Sequence, residues 1–386
     1  MAPAFEFNNA LSISLGFNRL TGKIPYQLGS MQKLEKMKLH YNDLTGLIPD
    51  SFGNLSSIIT FSLSVNNLEG NLPVSLAKLK NLKFLGFGLN KLSGVFPASV
   101  FNVSSLVTIT LPYNQFYGSL PSDFGFGLPN LQVINLGHNL LSGALPVSLS
   151  NASSLAEIDI DGSQFTGKVS IDFGGLPNLW WLVLSSNHLE GDLSFMNSLT
   201  RCRLLKMLVL NDNQFEGVLP SAIANLSTEL LTLRLGTNKL SGSIPSGIGN
   251  LVNLTELQLQ TNKFSGSIPN AIGNLGMLRR LNLSENELSG SIPPSLASIP
   301  QLYSLHLMKN SLNGTIPPSF GNFQYLQDLD LSQNNLDGTI PESVMRLSSL
   351  TISLNLAQNH LSGSLPSNVD ALKNLGYLDV VNGGIW

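Results

Sequence analysis

Three carboxylates alternate along one short stretch: Glu157, Asp159 and Asp161 in "AEIDIDG". In an extended chain they share one side, with Ile158 and Ile160 on the other. Corresponding positions further on read Trp181 and Val183, then Met207 and Val209, with Asp212 close by; Tyr113 and His138 stand beside the same positions earlier in the chain. Placed charges next to exposed apolar groups suit recognition: the acids take a cation and the apolar groups take a hydrophobic side chain. Bond-making chemistry has no comparable support. The five histidines, at 40, 138, 188, 306 and 360, fall in separate segments without metal-ligand spacing. Phosphate-loop, Gly-rich dinucleotide and nucleophile-elbow patterns are absent. No catalytic residue, metal or cofactor is therefore expected. The lone Cys202, in "SLTRCRLLKML", reads as a small buried side chain, and one cysteine allows no disulfide within the chain.

Composition narrows the classes further. Of 386 residues, 42% are apolar and only 12% charged, with a net charge of −3. No Lys/Arg run appears, so nucleic acid and membrane surfaces are not expected partners. No apolar run approaches the roughly 18 residues that span a bilayer.

The elements that position these residues recur at a fixed period. The Asn of "LxLxxNxL" falls at Asn18, Asn42, Asn66, Asn90, Asn114, Asn139, Asn187, Asn213, Asn238, Asn262, Asn286, Asn310, Asn334 and Asn359, with Ser163 substituting once. Most steps are 24 residues, the signature of a leucine-rich repeat. In "LTELQLQTNKFSGSIPNAIGNL" each position has a task. Leu254, Leu257 and Leu259 point into the core, while Glu256, Gln258 and Gln260 face out. Asn262 satisfies backbone groups left open by the turn, building an Asn ladder. Gly266 permits a positive φ, and Pro269 delays the next helical turn. No coil buries its leucines alone; neighbours do it for each other. The expected fold is an α/β solenoid: a right-handed superhelix of about 15 coils over residues 11–374 with a truncated coil at 375–386, all one domain. Short parallel strands line the concave face, with second strands and 3-10 turns elsewhere.

The "LSGxIP" tail, as at Leu240–Pro245, Leu288–Pro293 and Leu361–Pro366, resembles the plant-specific leucine-rich repeat of receptor-like kinase ectodomains. "GFGLPNLQVINLGHNLLSG" and "SFMNSLTRCRLLKMLVLNDNQFEGVLP" resemble the subfamily of the bacterial elongation-factor receptor and the rice blight-resistance kinases. The resemblance implies an extracellular sensor in immune or developmental signalling. It implies a peptide or protein ligand on the concave face, a co-receptor kinase toward the C-terminal coils, and a serine/threonine kinase elsewhere in the intact receptor. Signal peptide, Cys caps, membrane helix and kinase are not found here. The chain thus reads as a fragment of a plasma-membrane receptor facing the extracellular side, attached to the membrane only through a segment it lacks. The alternatives are a kinase-less secreted or receptor-like protein, such as a cell-wall-hydrolase inhibitor, and a non-functional gene fragment. Seven sequons, at Asn54, Asn102, Asn151, Asn225, Asn253, Asn282 and Asn313, fit the extracellular reading.

Within this frame the acidic trio and the Trp181/Val183/Met207/Val209 patch occupy three consecutive coils. At about 4.8 Å per coil they span roughly 10–15 Å, enough for a few residues of an extended peptide carrying a basic and an apolar side chain. The same coils read "GKVS" and "GDLS" where Pro is usual, and carry the Ser163 substitution. Asp328 and Asp330 form a second acidic pair.

Overall fold

Each coil opens on a three-residue strand, and in all but the first and last described strands its central side chain is buried. That residue is Met37 in Lys36–Lys38, Phe61 in Thr60–Ser62 and Leu257 in Glu256–Gln258. Strands one coil apart pair in parallel without slippage, Lys36 opposite Thr60 and Thr60 opposite Phe84. A one-residue slip would carry every inward side chain to solvent, so the leucine column holds the register.

The computed structural model describes residues 9–381. They form two units, one ending at Glu190 and the other beginning at Gly191. In the first, the long sheet runs from Ser12–Ser14 to Trp181–Val183. A second parallel sheet includes Asp43–Gly46, Lys91–Val95 and Gln164–Lys168. The second unit repeats the plan, its long sheet running from Met207–Val209 to Tyr377–Asp379. Between sheets the chain makes 3-10 turns. Pro269, at φ −65°, caps the turn Asn270–Asn274, which buries Ile272. The only α-helices among the described residues are two single turns, Met196–Leu199 and Glu342–Met345. Both units are leucine-rich-repeat solenoids of strands and 3-10 turns, as the period implied. Cys202 is fully buried, as a small core residue should be. No helix among the described residues is long and apolar enough to cross a membrane.

The Asn ladder is explicit. Asn262 Nδ2 donates to Leu259 O of its own coil at 3.2 Å and to Leu235 O of the previous coil at 3.0 Å. Its Oδ1 accepts from the Leu240 amide at 2.9 Å. One side chain therefore satisfies three buried backbone groups, each of which costs about 1–3 kcal/mol if left open. Ser163 breaks the pattern: its side chain is too short, and its Oγ is buried without a partner.

The residue before each ladder Asn is left-handed. Tyr41, Leu89, Tyr113 and Thr261 all have φ near +55°. A side chain there costs about 1–2 kcal/mol relative to the right-handed region. The position tolerates this because its N–H is held by the next coil, as Tyr41 N donates to Ser64 O at 2.9 Å.

Candidate functional site

Strand geometry delivers the acidic trio as expected. Glu157–Asp159 is a strand with Ile158 buried between two half-buried acids. Asp161 follows at the turn. Asp159 Oδ1 accepts from the Asp161 amide at 3.2 Å, and Asp159 Oδ2 from Asn135 Nδ2 at 3.4 Å. Asp161 Oδ1 accepts from Ser185 Oγ at 2.7 Å, and its Oδ2 lies 3.2 Å from His138 Nε2. The His138 ring stacks on Tyr113 at 4.1 Å between centroids. Tyr113, His138 and Asp161 are thus brought together with Asp159 and Glu157.

The electrostatics of Glu157 and Asp159 are only partly relieved. Burial pushes the Glu157 carboxyl up, and Asp159 beside it pushes the same way. Burial also raises Asp159; the Asp161 amide opposes this, the Asp161 charge adds to it, and His138 lowers it. The net direction for both is upward, so the ionised pair sits in a place where a cation would be favourable.

Trp181 stands directly across from Glu157 in the sheet, and Val183 across from Asp159. Trp181 is half-buried and meets Trp180 edge-on at 5.3 Å. The exposure expected of the two valines is not found. Val183 is 8% exposed in the first unit and Val209 6% in the second. Alternation sets the direction of a side chain, not its accessibility, and a short side chain among longer ones is shaded by them. Met207 is half-buried and Asp212 is exposed at φ +54°, with Asn211 donating to its carboxylate. Both belong to the second unit.

Two clusters in the second unit escaped the sequence reading, which took Arg234, Glu256 and Arg280 as polar surface and Asp328 only as half of an acidic pair. Glu256 is buried, with Arg234 Nη2 at 2.8 Å and Arg280 Nη1 at 3.6 Å. His306 Nε2 lies 2.7 Å from Asp328 Oδ2, whose other oxygen accepts from Ser353 Oγ. The Asp328 hydrogen bond raises His306 despite burial. Burial pushes Asp328 up, but its bonds to His306 and Ser353 outweigh that and hold it down. The column of outward residues read across coils, rather than along one, was the signal for both.

Five of the seven sequon asparagines are exposed. Asn253 is half-buried, its Nδ2 donating to Thr228 O. Asn282 is half-buried on the strand Arg280–Asn282, where its Oδ1 accepts from Ser284 Oγ at 2.6 Å.

Comparison with known proteins agrees with this architecture. Leucine-rich-repeat family patterns match at residues 300–361 and at 33–55, 130–152, 204–226, 229–251, 253–275 and 277–299. The chain is 46% identical over 86 residues to the LRR receptor-like serine/threonine-protein kinase EFR of Arabidopsis thaliana. That match covers 21% of this chain and 8% of EFR. The fold matches the crystal structure of a TDR receptor at TM-score 0.90 and 34% identity, over 96% of this chain and 64% of that one. It also matches the Arabidopsis receptor kinase HAESA, solved with the peptide hormone IDA and the co-receptor SERK1. There the TM-score is 0.77 and identity 31%, over 96% of this chain and 69% of that one. The chain belongs to the leucine-rich-repeat family, among the relatives of plant receptor-kinase ectodomains.

Proposed function

We propose that the chain is the ligand-sensing part of a plant receptor-like serine/threonine kinase and binds a peptide on its strand face. The observation that carries this is the Glu157/Asp159 pair. Burial holds both carboxyls above their usual range, with the Asp159 charge adding to it at Glu157 and the Asp161 charge at Asp159, on an outward sheet face beside the half-buried Trp181. A basic peptide side chain relieves the repulsion while an apolar neighbour rests on the indole. HAESA, solved with a peptide hormone and a co-receptor, supports the same class of ligand and partner here. The co-receptor would dock toward the C-terminal coils, and the signalling role would be in immunity or development. The intact protein would sit at the plasma membrane with this chain outside and glycans on its exposed sequons.

Binding of a cation at Glu157/Asp159 holds both acids ionised, so binding displaces protons. Affinity therefore rises with pH through the raised carboxylate range and then levels off. The test is selection from an unbiased displayed peptide library on the full chain, followed by Asp159→Asn with Trp181→Ala. The proposal expects selected peptides rich in Lys or Arg that lose at least tenfold in affinity on the double variant. Peptides that bind both forms equally would overturn it.

A further inference from the structure

The left-handed position before the ladder Asn is filled differently in the two units. In the first it reads Phe17, Tyr41, Val65, Leu89, Tyr113 and His138, then Gly162 and Ser186, all with φ between +52° and +62°. In the second, from Asp212 to Gln358, it reads Asp, Thr, Thr, Glu, Lys, Gln and Gln. Large apolar and β-branched side chains are the least suited to this conformation, and Val65 is the extreme case. They are not there to be buried. Phe17 is 73% exposed, Leu89 49% and Tyr113 50%. Neighbours stack face to face, Phe17 on Tyr41 at 4.5 Å and Tyr113 on His138 at 4.1 Å. The first unit thus carries a ridge one side chain wide, where polar residues would fit the backbone better.

The surface beside the ridge is able to hydrogen-bond. Glycine occupies this column at Gly86, Gly88 and Gly137, and all three are buried: an added Cβ would meet Phe84, Pro112 and Asp161 respectively. On neighbouring strands stand the half-buried hydroxyls of Thr60, Ser62, Thr108 and Thr110. The charges at the two ends are opposite. Lys36 and Lys38 flank one strand, and neither has a carboxylate partner among the described residues. Glu157 and Asp159 flank another, five coils on. Five steps of about 4.8 Å make about 24 Å, the length of about seven extended residues.

We infer that the first unit holds an extended peptide along the Phe17–His138 ridge, its acidic end at Lys36 and Lys38, its apolar middle against Leu89 and Tyr113, and its basic end at Glu157 and Asp159. The width of one side chain, the hydroxyls beside it and the opposed end charges fit a single strand of peptide rather than a broad protein face. This inference rests on the peptide-binding reading above and adds the register, polarity and length of the ligand.

The test uses three pools of capped octapeptides on the full chain. One has Glu and Lys at opposite ends and a middle drawn from Leu, Val, Phe and Tyr. A second has Lys at both ends with the same middle. A third keeps the mixed ends with a Ser/Thr middle. The first pool is expected to yield binders at least tenfold tighter than either control. The control variant is Leu89→Asn with Tyr113→Asn. Asn adopts the left-handed region more readily, so this variant should melt no lower than the parent yet lose at least tenfold in affinity. Equal binding by the control pools, or a variant that binds like the parent, overturns the inference. A variant that melts lower makes the ridge a packing feature, and self-association abolished by the variant makes a second copy the occupant; either result also overturns it. Selected peptides that need Asp159 but ignore Leu89 and Tyr113 would sink the register while leaving the peptide reading intact. Failure of an unbiased library to yield any Asp159-dependent peptide would remove both.

Discussion

The rings of Tyr113 and His138, one coil apart, stack at 4.1 Å and 15°, and the same imidazole reaches Asp161 with its Nε2 at 3.2 Å. His138 therefore joins an apolar ridge to an acidic cluster. Both residues hold positive φ, which in most folds is left to Gly or Asn. Here the backbone is constrained by the neighbouring coil, and the side chains are free to face a ligand.

The acidic pair should show itself in stability. Glu157 and Asp159 have folded pKa values above their unfolded ones, so the folded state binds more protons between the two. Stability then falls as pH rises through that window. Asp159→Asn removes one charge with little change of shape. Its melting temperature should exceed the parent's at pH 7, and the gap should close as pH falls below the ordinary Asp range. Equal melting temperatures at neutral pH would mean that neither burial nor the neighbouring charge costs the Asp159 carboxylate stability.

Ser163→Asn should stabilise the first unit. The side chain would reach the carbonyls that its ladder equivalents reach, and the buried unpartnered Oγ would be gone. A gain of about 1–2 kcal/mol is expected from the added hydrogen bonds. Calorimetry should show the transition moving up by a few degrees. A decrease would mean that this coil has closed around serine and has no room for the amide.

The reverse change, Asn262→Ala, leaves Leu235 O, Leu259 O and the Leu240 amide without their partner. A loss of about 3 kcal/mol or more follows if water does not enter. Amide exchange should accelerate first at Leu240, since its hydrogen bond ends on the deleted oxygen. Protection at Leu240 equal to the parent's would contradict the ladder as the source of cohesion.

The His306–Asp328 pair gives the second unit the opposite dependence from an ordinary surface. His306 has a raised folded pKa, so its contribution is complete below the unfolded value near 6.5 and is lost as pH rises through the folded value. Asp328 is held down, and its contribution is lost only at strongly acid pH. Exchange in the coils around Ser304–His306 and Asp328–Asp330 should quicken as pH rises above the ordinary histidine value of about 6.5 and through the raised folded one. In His306→Gln that rise should vanish once the intrinsic pH dependence of exchange is removed.

Much of this architecture was readable because repetition assigns each residue one task. Leu257 turns inward, Asn262 bonds across coils, Gly266 takes φ +75° and Pro269 caps a turn, as their spacing implied. The acids were readable too, since alternation alone placed Glu157 and Asp159 on the outward face. What stayed hidden depends on neighbours rather than on periodicity. Val209 stands across from Arg234, a much longer side chain, and is shaded. Glu256 looks like one more polar residue until Arg234 and Arg280 close on it from adjacent coils. The ridge was missed because Phe17 and Leu89 resemble spare apolar residues in a leucine-rich chain. Only the backbone shows that they occupy a conformation poorly suited to them.

The most direct test of a peptide on the strand face is to map where a selected peptide touches. A photo-reactive group placed mid-peptide and another beside its basic residue would be crosslinked to the full chain, and the sites read by mass spectrometry. The account predicts crosslinks at Leu89 or Tyr113 from the first group and at Glu157, Asp159 or Trp181 from the second. Crosslinks confined to the 3-10 turns, such as Val74–Lys78 or Val147–Asn151, would contradict it.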